Sequence, residues 1–265
     1  MTANRSSNWI LPIYVGVFMV FMLMPLAIMA GAAFNDSAFP SVYPWKGFTT
    51  RWFQEMWNDP DGRLWPALWN TIWVGLAVVA ISLPIGTAGA ILVNSIDGKL
   101  RSWLYGFMVA PILTPGVVIG ISTLLFWNKL SVPAGLHLSV LGQCSYISSF
   151  VMLLVLARLQ SFDKGLEEAA LDLGANYSQV LRRILLPHLY PAIGAGAVIA
   201  FFQSIENFNT TQFTRGTYDT LTVYVFSKVR SGVNPTINAL ALLMITVTIV
   251  AALAYEIRRR RQPDI

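Results

Sequence analysis

The sequence predicts an all-α, polytopic membrane protein with six transmembrane helices, and three observations predict it. First, the 265 residues are 55% hydrophobic and only 12% charged, with a mean hydropathy of +0.58; soluble domains carry roughly twice that share of charge. A soluble chain so poor in charge would expose large apolar patches and self-associate. Second, six long intervals hold no Asp, Glu, Lys or Arg: 6–35, 64–96, 102–128, 130–157, 184–205 and 231–255. Third, stretches such as Ile13 to Phe21 and Ala239 to Val250 are apolar on every face, whereas a barrel strand alternates over segments of about 10 residues. The same composition excludes intrinsic disorder, and the single Cys144 excludes a disulfide scaffold. A net charge of +5 does not point to nucleic acid, because four of the 18 basic residues are the tail Arg258 to Arg261 and no aromatic-basic face accompanies them.

A helix crossing the hydrocarbon needs roughly 20 residues, which places the spans at about 10–34, 66–94, 103–127, 137–157, 187–207 and 236–256. The chain then reads as one permeation domain over 1–265 with no room for a soluble one. The apolar core of the first span is much longer than the roughly 7–15 residues of a signal-peptide core, so it reads as an uncleaved helix. With both termini inside, the inner segments carry eleven basic residues and the outer ones seven, the sense of the positive-inside rule.

The connection over 161–187 is longer than a simple inner turn requires. Asp163 fits an N-cap, with acidic Glu167 and Glu168 early in the helix that follows. Gly174 fits the left-handed position that ends a helix. Ser178 then caps a second helix with Val180, Leu181, Ile184 and Leu185 on one face. Two short helices at a sharp angle on the cytoplasmic side are expected. From periodicity alone, an interfacial hairpin flooring the domain fits equally.

Spacing adds to that reading. Glu168-Ala169-Ala170, Gly174, Ile184 and Leu186-Pro187 match the EAA–G–I-LP signature of importer-type ABC transporter permeases, and they lie before the penultimate span, as in that family. The resemblance implies the type I importer permease fold and makes this loop the coupling helix that seats in a cytosolic ATPase. Glu168, Ala169, Ala170 and Gly174 would dock, while Ile184, Leu186 and Pro187 would pack the helix that follows. It also implies the partners: a homologous permease, two ATP-binding subunits, an extracytoplasmic solute-binding protein, a small organic solute and the bilayer of the bacterial cytoplasmic membrane. No G-x-x-x-x-G-K-[ST] loop is present. The chain is therefore expected not to be an enzyme and to hold no cofactor or metal, ATP-Mg being bound by the partner ATPase.

The segments Phe213 to Gly216, Thr220 to Arg230 and Gly232 to Leu240 are similar to the region between the last two spans of spermidine/putrescine permeases, and the chain most resembles the second permease of those systems. Phe48 to Phe53 and Pro111 to Gly116 are also similar. A polyamine is the favoured solute. One departure bears on it: where those permeases carry adjacent aspartates at the outer end of span five, this chain has Glu206 and neutral Asn207, followed by Asn209. Thr222 also replaces a proline of the family pattern. An aminoalkylphosphonate, a betaine, an opine or an amino-acid derivative is the alternative solute.

Ionisable groups near a bilayer are costly, which makes Glu206 a pathway residue with Asn207 and Asn209 as neutral partners. Pairing of Glu206 with Arg215 or Lys228 at the water interface is the competing reading. Pro111, Pro115, Gly116 and Gly120 mark a bend near the translocation route, with helix packing as the alternative. His188 and His137 read as interfacial, and Cys144 as a small buried hydrophobe. The aromatics of the outer loop 36–63 suit a membrane interface, and 49–58 could form a short amphipathic helix on that surface, in reach of a binding protein. A self-sufficient secondary carrier would need an internal repeat and a membrane-centre ion site. A membrane-embedded enzyme would need a motif such as H-E-x-x-H or G-x-S-x-G. The sequence contains none of these.

Overall fold

A computed structural model of the chain describes residues 9–232 and 234–260. Arg5 and Arg261, counted above for orientation, and Val233 of the outer segment lie outside those residues. The described residues form helices α1 (Ile10–Phe34), α2 (Arg51–Asn58), α3 (Leu64–Ser95), α4 (Gly98–Leu113), α5 (Gly116–Lys129), α6 (Leu136–Leu159), α7 (Lys164–Asp172), α8 (Tyr177–Val180), α9 (Leu186–Ile205), α10 (Thr211–Thr214), α11 (Leu221–Ser231) and α12 (Thr236–Arg260). Five are long and apolar enough to cross a membrane, counting α8 to α9 as one continuous helix. The pair α4 and α5 makes a sixth if read as one bent span.

Two compact units divide these elements. The first joins residues up to Gly62 with those from Val225 onward. In it α1 and α2 each pack on α12. Residues 9–28 are exposed throughout, and only Ala32 and Ala33 of α1 are buried. Where α1 ends, the fully buried Asn35 organises the outer loop: its Nδ2 donates to the carbonyls of Ser41 (2.8 Å) and Pro44 (3.1 Å), and its Oδ1 accepts from the Lys46 amide at 2.8 Å. Its own carbonyl takes the Trp52 Nε1 proton at 2.8 Å. The expected amphipathic helix forms as α2, with Trp52 and Met56 on its buried side.

The second unit runs from Arg63 to Tyr224. Its core is a tripod of α3, α6 and α9, closed by Val78, Val93, Ile147, Val151, Met152 and Leu189. At 32 residues, α3 spans about 48 Å at 1.5 Å per residue, more than the hydrocarbon thickness. Lipid tails are as apolar as these side chains, so helix association depends on close packing more than on removal of apolar surface from water. Gly86 supplies that close packing. A Cβ there would stand 2.6 Å from the Ser148 carbonyl oxygen and 2.6 Å from Val151 Cβ.

The third expected span is not one straight helix. α4 and α5 meet at 102°. Pro115 has no amide proton and keeps the preceding Thr114 extended, at φ −87 and ψ 128. The bend expected from the Pro111–Pro115 cluster is therefore present as a full elbow. Pro84, by contrast, sits inside an uninterrupted α3.

Replacing Gly86 with Ala forces α3 and α6 apart and should lower stability by about 1–3 kcal/mol. Gly106, whose Cβ would meet nothing within 4 Å, is the control. Thermal unfolding of the detergent-purified protein separates the two, with Gly106→Ala matching the wild type.

Candidate functional site

The two ends of α9 carry the two groups of residues singled out by sequence. At the inner end, Asp163 caps α7 by accepting from the Gly165 amide at 2.9 Å, as expected. The helix stops in a Schellman arrangement: the Gly174 amide donates to the Leu171 carbonyl (2.9 Å) and the Ala175 amide to the Ala170 carbonyl (3.0 Å). Gly174 has φ +85, a conformation that a Cβ penalises.

The second helix departs from expectation in two respects. Its cap is Asn176, not Ser178. Asn176 Oδ1 accepts from the Gln179 amide and Gln179 Oε1 accepts from the Asn176 amide, each at 2.9 Å, a closed capping box that leaves Ser178 inside the helix. Nor does it form a separate short element. α8 passes through one wide π turn, Leu181–Leu185, into α9, and the Leu186 amide reaches back to the Leu181 carbonyl. Pro187 cannot donate, and its ring crowds the carbonyl four residues earlier; a π turn accommodates the proline without breaking the helix. The extra residue rotates the apolar face: Val180 is buried, Ile184 and Leu185 are half-buried, and Leu181 is exposed.

No residue of α7 is buried. Glu168, Ala169 and Gly174 are exposed, and Ala170, Ile184 and Leu186 are partly covered, whereas Pro187 is exposed. Around them stand large apolar side chains in the open: Leu166, Leu173 (88% exposed) and Tyr177 (74%). Sequence reasoning fixed on the signature and passed over these three, although large apolar residues in a charged surface loop are a recognisable signal.

At the outer end, Glu206 follows the last turn of α9 and is exposed. The two ion pairs expected as alternatives do not form. Arg215 binds Asp219 at 2.6 Å, and Lys228 pairs with Asp61. Asp219 takes Arg63 on its other oxygen, and its carbonyl accepts from Asn70 Nδ2 at 2.9 Å. Asn207 is engaged within the protein. Its Oδ1 accepts from the amides of Thr210 (3.1 Å) and Thr211 (3.2 Å), capping the turn into α10, while its Nδ2 donates to the Tyr146 hydroxyl oxygen at 2.6 Å.

Asn209 lies against Gly116, the residue that follows Pro115. A Cβ on Gly116 would lie 3.0 Å from Asn209 Cβ, and one on Gly120 would lie 2.9 Å from the Thr210 carbonyl oxygen. Thr210 Oγ1 donates to the Gly116 carbonyl at 3.2 Å. Behind this turn runs a buried polar chain that sequence reasoning missed. Ser204 Oγ donates to Gln143 Oε1 (2.5 Å), Gln143 Nε2 donates to Thr211 Oγ1 (2.8 Å), and Ser139 and Thr214 share a hydroxyl contact at 2.9 Å. Serine, threonine and glutamine are frequent enough in membrane helices that nothing in the sequence marked these.

Beside the elbow, a cavity of about 500 Å³ is lined by Phe107, Met108, Pro111 and Val118 and by the hydroxyl-bearing Thr114, Ser122, Ser145 and Ser148. Among the described residues no cluster of His, Cys, Asp or Glu could hold a metal. Cys144 is buried, its Sγ 3.9 Å from the Val78 carbonyl oxygen.

Residues 80–262 match the family model of the binding-protein-dependent transport system inner membrane component. The putrescine transport system permease protein PotI of Escherichia coli K12 is 32% identical over 255 residues, covering 91% of this chain and 88% of the relative. The spermidine/putrescine transport system permease protein PotC of the same strain is 28% identical over 241 residues, covering 91% and 90%. Among solved structures, a bacterial ABC transporter involved in the import of the acidic polysaccharide alginate aligns with a TM-score of 0.76 at 16% identity, over 97% of this chain and 99% of that one. The MetNI methionine ABC transporter in an inward-facing form aligns with a TM-score of 0.62 at 19% identity, over 76% and 96%. At those identities the structures establish the fold, that of type I importer permeases.

Gln143→Leu removes the amide that satisfies Ser204 and Thr211 together. Thr211 keeps its bond to Asn207 Oδ1 at 3.2 Å, but the buried Ser204 hydroxyl loses its acceptor, which should cost about 1–3 kcal/mol, read as a lower unfolding temperature of the purified protein, with Ser145→Ala much closer to the wild type.

Proposed function

Because the chain belongs to the family of binding-protein-dependent transport system inner membrane components, we propose that it forms, with a second permease, the path by which a small amine-bearing solute enters the cell. Putrescine or spermidine is the favoured solute. The chain is a non-enzymatic permease subunit of the bacterial inner membrane. In this reading two copies of a separate ATPase bind and hydrolyse ATP-Mg, and an extracytoplasmic binding protein delivers the solute. Both termini lie in the cytoplasm.

The observation that carries the mechanism is α7, a helix capped at both ends that buries none of its residues and presents Glu168, Ala169 and Ala170 between the apolar Leu166 and Leu173. Alanine leaves a low surface that enters a groove, a carboxylate gives an oriented polar contact, and the exposed leucines lose water on docking. Closure of the ATPases on ATP displaces α7, and α9 carries the displacement toward the outer side, switching the path from inward-facing to outward-facing. Ile184 and Leu186, partly covered, serve this by packing the root of α9, whereas Pro187, expected to pack there too, is exposed and acts through the π turn that precedes it.

At the other end of α9 the solute path passes Glu206, Asn209 and the Pro115 elbow. Glu206 is exposed and has no ion pair among the described residues, which leaves its charge available to an ammonium group. The two relatives named for polyamine transport support the solute class. Neutral Asn207 favours a second reading, a solute of lower positive charge such as an aminoalkylphosphonate, a betaine, an opine or an amino-acid derivative.

Reconstituted with its partners, the Glu168→Ala and Gly174→Val variants should lose binding-protein-stimulated ATP hydrolysis and uptake roughly fivefold or more; full stimulation in both would refute the docking role. Glu206→Gln should reduce putrescine uptake roughly tenfold, the equivalent of about 1.4 kcal/mol, and wild-type uptake would remove Glu206 from the path. Asn207→Asp keeps an acceptor for Thr210 and Thr211 and lets the Tyr146 hydroxyl donate. It should raise spermidine uptake relative to putrescine in a competition assay.

A further inference from the structure

The loop that bears α7 leaves the membrane domain at the end of α6 and returns at the start of α9, and its two roots are joined directly. Arg158 Nε donates to the His188 carbonyl oxygen at 3.2 Å, and the His188 ring Nε2 lies 3.4 Å from the Arg158 carbonyl oxygen. Phe162 closes the contact, its ring centroid 5.2 Å from that of His188 and at 60° to it. The Arg158 carbonyl belongs to the last turn of α6, and it also takes the cap amide of Gln160, the Ser161 amide at 3.2 Å and the Ser161 hydroxyl at 2.8 Å. A charged guanidinium on one carbonyl and an imidazole on the other make a reciprocal clasp across 30 residues of sequence.

Its place matters. His188 lies beyond the π turn Leu181–Leu185, so the wide turn falls inside the loop and the clasp lies on the membrane side of it. Toward the outer side, the same two helices are tied again by Ser204 with Gln143 and by Asn207 with Tyr146. α6 and α9 are thus fastened at both ends as well as packed along the core.

We propose that Arg158 and His188 are the positioning residues that make α6 and α9 respond as one body when α7 is displaced. Without the clasp, a push on α7 reaches α6 through residues 160–163 and α9 through the π turn by separate routes. The π turn, already off the regular helical ladder, then absorbs the movement. With it, the two roots cannot slide past each other and the displacement arrives at the Glu206 end undiminished. This rests on the proposed docking of α7, and the clasp itself touches neither the ATPase nor the solute.

The test uses the complete transporter in proteoliposomes, with Arg158→Ala, His188→Ala and the conservative His188→Gln, whose amide can still donate to the Arg158 carbonyl. The ATPase subunit should remain bound in all three. In the two alanine variants the rise in ATP hydrolysis caused by putrescine-loaded binding protein should fall roughly fivefold or more, and His188→Gln should recover most of it. Spin labels at the exposed Leu141 of α6 and Val198 of α9, in a Cys144→Ala background, read the coupling without any solute. On ATP and vanadate the separation should stay single and narrow in the wild type and broaden in the alanine variants. Unchanged stimulation and an unchanged separation would overturn the proposal. So would loss of the ATPase subunit from the complex, which would make the clasp part of the docking surface. If putrescine-loaded binding protein fails to stimulate even the wild type, the solute reading falls and the label separation alone decides the clasp. If Glu168→Ala retains full stimulation, the docking reading falls, independently of what the labels report.

Discussion

A bilayer offers no water to a broken hydrogen bond, and the irregular places in this chain are arranged around that constraint. At the α4–α5 elbow, Thr114 turns its hydroxyl back to the Ala110 carbonyl at 3.1 Å, and Thr210 arrives from the far side to bond the Gly116 carbonyl. Where α9 ends, Asn207 caps the next turn and Gln143 satisfies two hydroxyls at once. Where Pro187 interrupts the amide ladder, a π turn re-registers it. These substitutions for missing backbone bonds fix the elbow, the outer turn and the inner loop in place. Thr114 and the π turn find their partners within their own helix, whereas Thr210, Gln143 and the Asn207 amide nitrogen reach a different element, so those positions double as cross-links between helices.

α9 gains its role from this arrangement. Its 20 residues reach about 30 Å, the thickness of the hydrocarbon, with the signature loop at one end and the carboxylate of Glu206 at the other. A helix in lipid resists bending only as well as its neighbours brace it, and here the brace is α6, in contact along the core and hydrogen-bonded to α9 near both ends. Under the proposed docking, a displacement of α7 would then reach the opposite face without a chain of separate conformational steps.

What the sequence made legible follows from which physics is local. Charge-free intervals count spans because hydration of charge is a per-residue cost, and the Asp163 cap and Gly174 stop were readable because capping involves neighbours in sequence. The elbow was readable as a bend, since proline acts on adjacent residues, but its 102° angle depends on what packs against it. Residue type alone makes Ser178 a fitting cap, but the reciprocal bond between Asn176 and Gln179 puts the cap two residues earlier. The Gln143 network, the Arg63–Asp219 pair and the Arg158–His188 clasp join residues 30 to 156 apart in sequence. No periodicity or spacing announces such contacts.

The scarcity of charge that revealed the membrane class also sharpens the meaning of the charges that remain at the outer side. Asp219 holds Arg63 and Arg215 together, so that cluster is committed to fastening the outer loop. Lys228 and Asp61 answer each other. Asn207 carries no charge, and its oxygen is taken up by the turn it caps. Glu206, one residue earlier, is held in position by that same turn yet left without a cationic partner among the described residues. Its backbone amide bonds the Phe202 carbonyl at 3.1 Å, and in the proposed path its exposed carboxylate, without an ion pair of its own, keeps its charge for a ligand that arrives and must leave again. On the proposed path, a single carboxylate would attract an ammonium group and still release it, whereas a second one at 207 would bind a multiply charged amine more strongly and hold it longer, so that residue 207 would set the balance between attraction and release.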